Sequence, residues 1–417
     1  MSRVIVVGAG VAGLTAATRL ARAGVGVTLL TKGLGGLQLS QGTVDILGYA
    51  PERVIRPFAA VSTVAATSRS HPYAAIGTDA VRTGVEFLRE VIGADLLAGD
   101  PEVNMFLPTA VGAVRPTALA QPSMLAGEVT SGARWAIVGL RRLKDFHPQL
   151  IAANLSRTTL LDGGRLTARP VSVDVPAREG EADSSGLAYA RAFDDPSFRA
   201  RFAADVQPLL HDDEIVGLPA VLGLKDLQAW KDVSKRLGHP VFEIPLPPPS
   251  VPGMRLNLAL TAAAKAAGVR VVLGSQVTGF RTQDGRLASL TISAAGGPRE
   301  FAGDAFVLAP GGFESGALAM DSYGTVTERI LGLPLAGLEG DLVHGDYWGA
   351  DQPLFKAGVA VDAAMRVLDG SGSPVYSNLR AAGGILAGAT RWAEKSGEGI
   401  AVGSAVAASD SILKELA

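Results

Sequence analysis

Residues 4–13 read Val4-Ile5-Val6-Val7-Gly8-Ala9-Gly10-Val11-Ala12-Gly13, a β-branched run that passes straight into three glycines spaced GxGxxG. Leu14, Ala17, Leu20 and Ala21 follow at helical spacing, and after Gly24 a second apolar run extends from Val25 to Leu30. Strand, glycine turn, helix and strand in this order make a βαβ unit, which commits the chain to a parallel sheet. Gly8 permits the tight turn, Gly10 lets the backbone approach a pyrophosphate, and Gly13 lets helix and strand pack closely. Exposed N–H groups at the positive helix end favour a phosphate there. The same residues, following Ser2-Arg3, could pass for a secretory signal, but the glycine spacing and second strand make the βαβ reading the better one. No later segment approaches the ~18 uninterrupted apolar residues of a membrane span.

The remaining composition narrows the chemistry. The 417 residues carry 38 basic and 40 acidic side chains without a dense basic run, so there is no electrostatic footprint for nucleic acid as a partner. There is no cysteine, which removes disulfides, thiolate catalysis and iron–sulfur ligation, so redox chemistry would need an organic cofactor. No metal site is read from the sequence. Glycine is abundant, 51 residues, without a collagen period.

The acidic residue expected about 20 positions beyond the glycines, where it would hold the adenosine ribose, is missing; Thr31 and Lys32 stand there, and the first acid is Asp45. The following Gly33–Gly42 stretch reads as a loop against a flat ligand, with Gln38 and Ser40 as hydrogen-bonding groups and Gly42 as a close backbone approach. Leu143–Leu155 and Leu224–Leu237 have helical spacing, and Arg115-Pro116-Thr117 reads as a loop presenting a cation. Pro245, Pro247, Pro248, Pro249 and Pro252 form a stiff connector that suggests a domain boundary. Beyond it come a helix with Leu256, Leu260 and Ala264, a strand Val269–Leu273, and an antiparallel meander turning at Asp284-Gly285 and Gly296-Gly297. The buried run Phe306–Ala309 ends in Pro310-Gly311-Gly312, a second close approach to the same ligand, with Pro310 removing one N–H donor. A third glycine-rich segment includes Gly383 and leads to Gly397-Glu398-Gly399 and Gly403, where a helix N-terminus could face the cofactor.

The GAGVAG turn, the APGGFESGAL block and the NLRAAGGILAG ending resemble the two-domain flavoproteins of the fumarate reductase and succinate dehydrogenase type. The QGTVDILG, LPTAVGAVRPT, PLPPPSVPGMRLNLAL and VLAPGGFESGAL segments are more closely similar to the B-subunit family of the anaerobic glycerol-3-phosphate dehydrogenases, almost from end to end. The expected fold is α/β: a Rossmann-like flavin-binding domain with a β-meander, formed by residues 1–75 and 250–417, and an inserted mixed α+β cap domain at 76–249. The resemblance implies a flavoprotein that oxidises glycerol 3-phosphate to dihydroxyacetone phosphate, or relays its electrons, with quinone as the eventual acceptor. It also implies a catalytic flavoprotein subunit and an iron–sulfur, membrane-associated subunit as partners, and a cytoplasmic location at the inner face of the membrane through them. The family association is with FMN, whereas the glycine motif suggests FAD. The first histidine is His71, so the flavin loop has no histidine for covalent attachment and a dissociable flavin is expected.

Alcohol oxidation by a flavin needs a base for the hydroxyl proton and a cation for the substrate anion. His344 is the candidate base, and Arg115, Arg255 and Arg380 are the candidate anion-holding residues. The competing readings are a self-contained fumarate-reductase-like oxidoreductase acting on another small acid, and a non-catalytic nucleotide-binding scaffold, for which Lys32 would meet an NADP phosphate.

Overall fold

The computed structural model describes residues 2–294, 296–346 and 349–417. The opening βαβ unit forms as the sequence predicts: strand Arg3–Val7, helix Val11–Arg22 and strand Gly26–Thr31. Gly10 occupies the helix N-cap without a capping side chain, and Arg19 and Arg22 lie in the last turn, where cations complement the helix dipole.

These strands are the centre of a five-stranded parallel sheet ordered Leu379–Ala381, Ala305–Leu308, Arg3–Val7, Gly26–Thr31, Arg270–Leu273. Val4, Val6, Leu29, Leu30, Val307 and Leu379 are almost completely buried, as strands covered on both faces require. The chain leaves Arg3–Val7 toward one sheet edge, whereas Ala305–Leu308 pairs on its other side with Val4 opposite Ala305. This reversal is a topological switch point, the place where open α/β sheets bind ligands at the carboxyl ends of their strands. The C-terminal helix Gly397–Leu416 packs along Val11–Arg22. The meander comprises Val277–Gln283, Arg286–Ile292 and Arg299–Ala302, and its first turn has positive φ at both Asp284 and Gly285, a type I′ hairpin.

The chain separates into two compact units, residues 1–36, 45–91 and 259–417 in the first and 37–44 and 92–258 in the second. The sequence-based divisions at 75/76 and 249/250 compare with 91/92 and 258/259, and the latter falls within helix Val251–Ala266.

The second unit, expected to be mixed α+β, combines a parallel sheet with a short antiparallel pair. Strands Thr167–Val173, Arg134–Leu140, Ile215–Pro219 and Val241–Ile244 form a four-stranded, wholly parallel sheet in that order. Its core gathers Trp135, Phe193, Phe198, Phe202 and Phe242. The helix expected from Leu143 begins instead at Pro148, whose fixed φ suits a first turn, although Leu143 and Phe146 are buried ahead of it. The helix expected from Leu224 begins at Ala229. The Asp194 carboxylate accepts the backbone N–H groups of Leu224, Lys225 and Asp226 at 2.9–3.0 Å and holds that stretch as a bend. Arg115-Pro116-Thr117 is not a loop: Val114–Thr117 pairs antiparallel with Met105–Pro108.

Candidate functional site

Three glycine-bearing turns meet at the carboxyl end of the five-stranded sheet. Gly8 leaves its strand at φ +106°, and a Cβ there would overlap the Ala309 carbonyl oxygen and approach Pro310, so the first two turns are in direct contact. A Cβ on Gly13 would overlap the Gly8 oxygen, which makes Gly13 the helix-packing glycine of the motif. Gly383, at φ +75°, sits where a Cβ would come within 2.8 Å of the Ala12 methyl group, and its N–H donates to Ser404 Oγ at 2.9 Å. A Cβ on Gly312 would lie 2.9 Å from the Gly384 oxygen, which links the second turn to the third. Gly10 differs from all of these: a Cβ there would meet nothing within 4 Å.

The space beside Gly10 therefore lies at the N-terminus of helix Val11–Arg22, which has neither a side-chain cap nor an acid in its first turn. Free N–H groups, the positive helix end and the absence of competing carboxylates form a cradle for phosphate. At the end of the neighbouring strand, Thr31 is buried and its hydroxyl donates to the Gly33 carbonyl at 2.6 Å, while Lys32 is exposed. The predicted Thr31 hydroxyl is thus used by its own turn.

The turns following Ala305–Leu308 and Leu379–Ala381 are joined by an ion pair that sequence reasoning missed. Arg391 donates from Nη1 to the Gly384 oxygen at 2.6 Å and from Nη2 to Glu314 Oε1 at 3.2 Å, and the same carboxylate oxygen accepts the Gly312 N–H at 3.2 Å. The Arg391 side chain is 21% exposed, so a cation stands open at the glycine crevice. The sequence signal was faint, a lone arginine seven residues beyond Gly384.

The other predicted positions have different settings. Arg380 lies on strand Leu379–Ala381 and is completely buried, with Nε on Ser411 Oγ at 3.0 Å, Nη1 on the Ser377 carbonyl at 2.9 Å and Nη2 on the Glu415 carboxylate. Its guanidinium fastens the C-terminal helix. Gly403 lies within that helix, where a Cβ would press on Ile76 and Val81 at 2.8 Å, so packing explains it. Gly399, in the first turn, donates its N–H to the Asp45 carbonyl at 3.0 Å.

Gln38, Ser40 and Gly42 belong to the second unit. One turn of 3₁₀ helix, Gly36–Leu39, interrupts the predicted loop. Gln38 accepts the Ser250 N–H at its carbonyl, 2.8 Å, and Ser40 Oγ donates to the Leu37 carbonyl at 2.9 Å. The neighbour that excludes a side chain at Gly42 is Pro252. Arg115 is buried and donates to Thr43 Oγ1 at 2.6 Å. Arg255 is buried too, bonded to both Glu243 oxygens at 2.7 and 3.1 Å, to Gln121 Oε1 at 3.0 Å and to the Gly223 carbonyl. Its donors are committed within the protein.

His344 belongs to the first unit and is clamped by Gln352. Gln352 Oε1 accepts the His344 backbone N–H at 2.8 Å, which fixes the amide so that Nε2 donates to the His344 carbonyl at 3.0 Å and faces Nδ1 at 3.3 Å. With Nδ1 accepting, the ring proton is assigned to Nε2, which is buried and has no hydrogen-bond partner among the described residues.

No group of three or more His, Cys, Asp or Glu among the described residues is placed to hold a metal ion. No helix among them is long and apolar enough to cross a membrane.

A family model described as FAD binding domain matches residues 3–400. The chain is 32% identical to the probable anaerobic glycerol-3-phosphate dehydrogenase B subunit of Halobacterium salinarum, across 98% of its own length and 96% of the relative's. It is 29% identical to the anaerobic glycerol-3-phosphate dehydrogenase B subunit of Yersinia pestis, across 99% and 98%. Among solved structures, the 3-ketosteroid delta1-dehydrogenase of Sterolibacterium denitrificans is similar over 100% of both chains, with a TM-score of 0.48 and 12% identity. The open conformation of a flavocytochrome c3 fumarate reductase is similar over 99% of this chain and 78% of that one, with a TM-score of 0.46 and 14% identity.

Proposed function

Because the chain belongs to the B-subunit family of the anaerobic glycerol-3-phosphate dehydrogenases, within the FAD binding domain family, we propose that it is a flavin-carrying subunit of a glycerol-3-phosphate-oxidising complex. The observation that carries this reading is the meeting of the Gly8–Gly13, Ala309–Gly312 and Gly383–Gly384 turns at the switch point of the parallel sheet.

The residues fit a dissociable FAD. Gly10 and the uncapped helix end would hold the pyrophosphate, Lys32 would lie toward the nucleotide edge, and Pro310, Gly311 and Gly312 would pass beside the cofactor. The pyrophosphate-type cradle and the family's FAD description favour FAD over FMN. The bound flavin would supply a two-electron acceptor for the hydrogen on the carbinol carbon.

The chain's own groups would bind and orient the substrate. Arg391 is the cation best placed for the glycerol 3-phosphate dianion, since it is partly exposed and its contact with Glu314 is an exchangeable 3.2 Å pair. Arg115, Arg255 and Arg380 are buried among protein partners, which weakens the proposal that they hold substrate. His344, with its proton on Nε2, would donate to the substrate oxygen; to accept the hydroxyl proton there, its proton must move to Nδ1 and the Gln352 amide must turn over.

Without cysteine the chain offers no thiolate for an iron–sulfur centre. Onward transfer to quinone would therefore use partner subunits, a catalytic flavoprotein and an iron–sulfur, membrane-associated subunit, which would also hold this chain at the cytoplasmic face of the membrane. Release of the cofactor by mild denaturation, followed by its mass, tests the flavin assignment: FAD supports it, and a chain that takes up no flavin on reconstitution contradicts it.

A further inference from the structure

A cavity of 350 Å³ in the first unit is lined by none of the glycine turns. Leu47, Pro51, Val64 and Ala393 give it apolar walls, and its polar lining includes His71, Glu394 and Asp351. Among the described residues, no lysine or arginine lines it. The volume is at the lower end of the range for small-molecule sites, roughly 300–1,000 Å³.

The polar lining is net negative, with two carboxylates against one imidazole. His71 is buried, and its Nδ1 accepts the Tyr73 backbone N–H at 3.1 Å. The ring proton is therefore assigned to Nε2, which donates to Glu394 Oε2 at 3.1 Å, and the imidazole brings a hydrogen bond without a positive charge. Glu394 Oε2 also accepts from Ser396 Oγ at 3.0 Å, and Oε1 accepts the Thr390 N–H at 3.1 Å. Burial pushes the Glu394 carboxyl up, but the hydrogen bond from His71, the attraction of that ring when it is protonated, and the bonds from Ser396 and the Thr390 N–H outweigh it and hold the group below its ordinary value, so it is ionised at neutral pH. Three bonds fill three of a carboxylate's roughly four acceptor positions and leave about one open. Asp351 adds a second negative charge to the lining.

From this arrangement we propose that the cavity is a binding site for a compact amphipathic cation, a primary ammonium on an apolar body. The ammonium would fill the remaining acceptor position of Glu394 beside Asp351, and the body would lie against Leu47, Pro51 and Val64. An anion such as glycerol 3-phosphate is repelled from the same end. The site is separate from the glycine crevice: one short helix, Arg391–Glu394, contributes Arg391 to the crevice and Glu394 to the cavity.

Calorimetric titration of the full chain with phenethylammonium, with neutral phenethyl alcohol and anionic phenylacetate as matched probes, tests this. One saturable site is expected for the amine, at least about tenfold tighter than for the alcohol, with no binding of phenylacetate. Glu394→Gln should weaken the amine at least tenfold, and exposed Asp351→Asn, which does not burden folding, severalfold. Val64→Trp should fill the cavity and abolish binding, while Arg391→Lys and saturation with flavin should leave it unchanged. Equal binding of amine and alcohol, amine affinity indifferent to both Asp351→Asn and Val64→Trp, displacement by flavin, or no saturable binding at millimolar amine would each overturn the proposal. Apart from the flavin control, none of these outcomes depends on whether the chain carries flavin for glycerol 3-phosphate oxidation.

Discussion

Arg391 donates to the Gly384 carbonyl at 2.6 Å while its other terminal nitrogen meets Glu314, so one guanidinium spans the second and third glycine turns. If the same group binds the substrate phosphate, Arg391→Lys should raise the KM for glycerol 3-phosphate about tenfold or more, because a lysine cannot reproduce the planar fork. Flavin content should change little. Steady-state kinetics of the reconstituted complex give the KM and its visible absorbance the flavin content, and an unchanged KM would remove Arg391 from substrate binding.

Gly10 and Gly13 separate ligand space from packing. A side chain at Gly10 meets open space at an ordinary φ of −79°, so Gly10→Val should leave the melting temperature within about a degree or two and lower flavin affinity at least tenfold. Gly13→Val would collide with the Gly8 oxygen and should lower both. Thermal melts and flavin fluorescence titration distinguish the cases; full flavin affinity in Gly10→Val would place the phosphate elsewhere.

In the second unit, Arg255 and Glu243 form a buried pair, their side chains 3% and 0% exposed, with Ser123 and the Leu222 N–H completing the carboxylate's bonds. Removing one partner strands the other charge. Glu243→Ala is expected to cost about 3–5 kcal/mol in urea unfolding, and the double replacement Arg255→Met, Glu243→Leu to recover much of it. A single variant as stable as the parent would show that the pair is not structurally required.

Glu394 predicts an acid limb. A carboxyl whose folded pKa is depressed contributes stability that is complete above its unfolded value, here near 4.5, and is lost as pH falls through the folded value. His71→Phe removes one of the bonds that depress it, so the variant's deficit in melting temperature should be largest at pH 6–7 and shrink below about pH 4.5. A deficit independent of pH would show that the hydrogen bond to Glu394 does not carry the effect.

The nucleotide-binding half was legible because its signals are local. The glycine spacing in Gly8–Gly13, the I′ turn at Asp284-Gly285 and the apolar run ending at Pro310 each determine backbone geometry within a few residues. The second unit's parallel sheet was harder to read because fully buried strands such as Arg134–Leu140 lack the alternation that marks a half-exposed strand. Side-chain roles were least legible. Nothing in the sequence distinguishes Arg380, locked to the C-terminal helix, from Arg391, open at the crevice, because the difference lies in partners 31–35 and 77 residues away. Gly42 and Gly403 look like ligand glycines for the same reason: a close approach by Pro252 or Ile76 leaves the same mark as one by a cofactor.

The most direct measurement is the visible spectrum of the purified, flavin-reconstituted chain before and after anaerobic glycerol 3-phosphate, first alone and then with the partner subunits. Flavin bands that bleach with substrate, in the chain alone or once the partners are present, are the expected result, and the first of these would make the chain itself a dehydrogenase. No flavin bands after reconstitution, or bands that stay oxidised with substrate and the whole complex present, would contradict the proposed function.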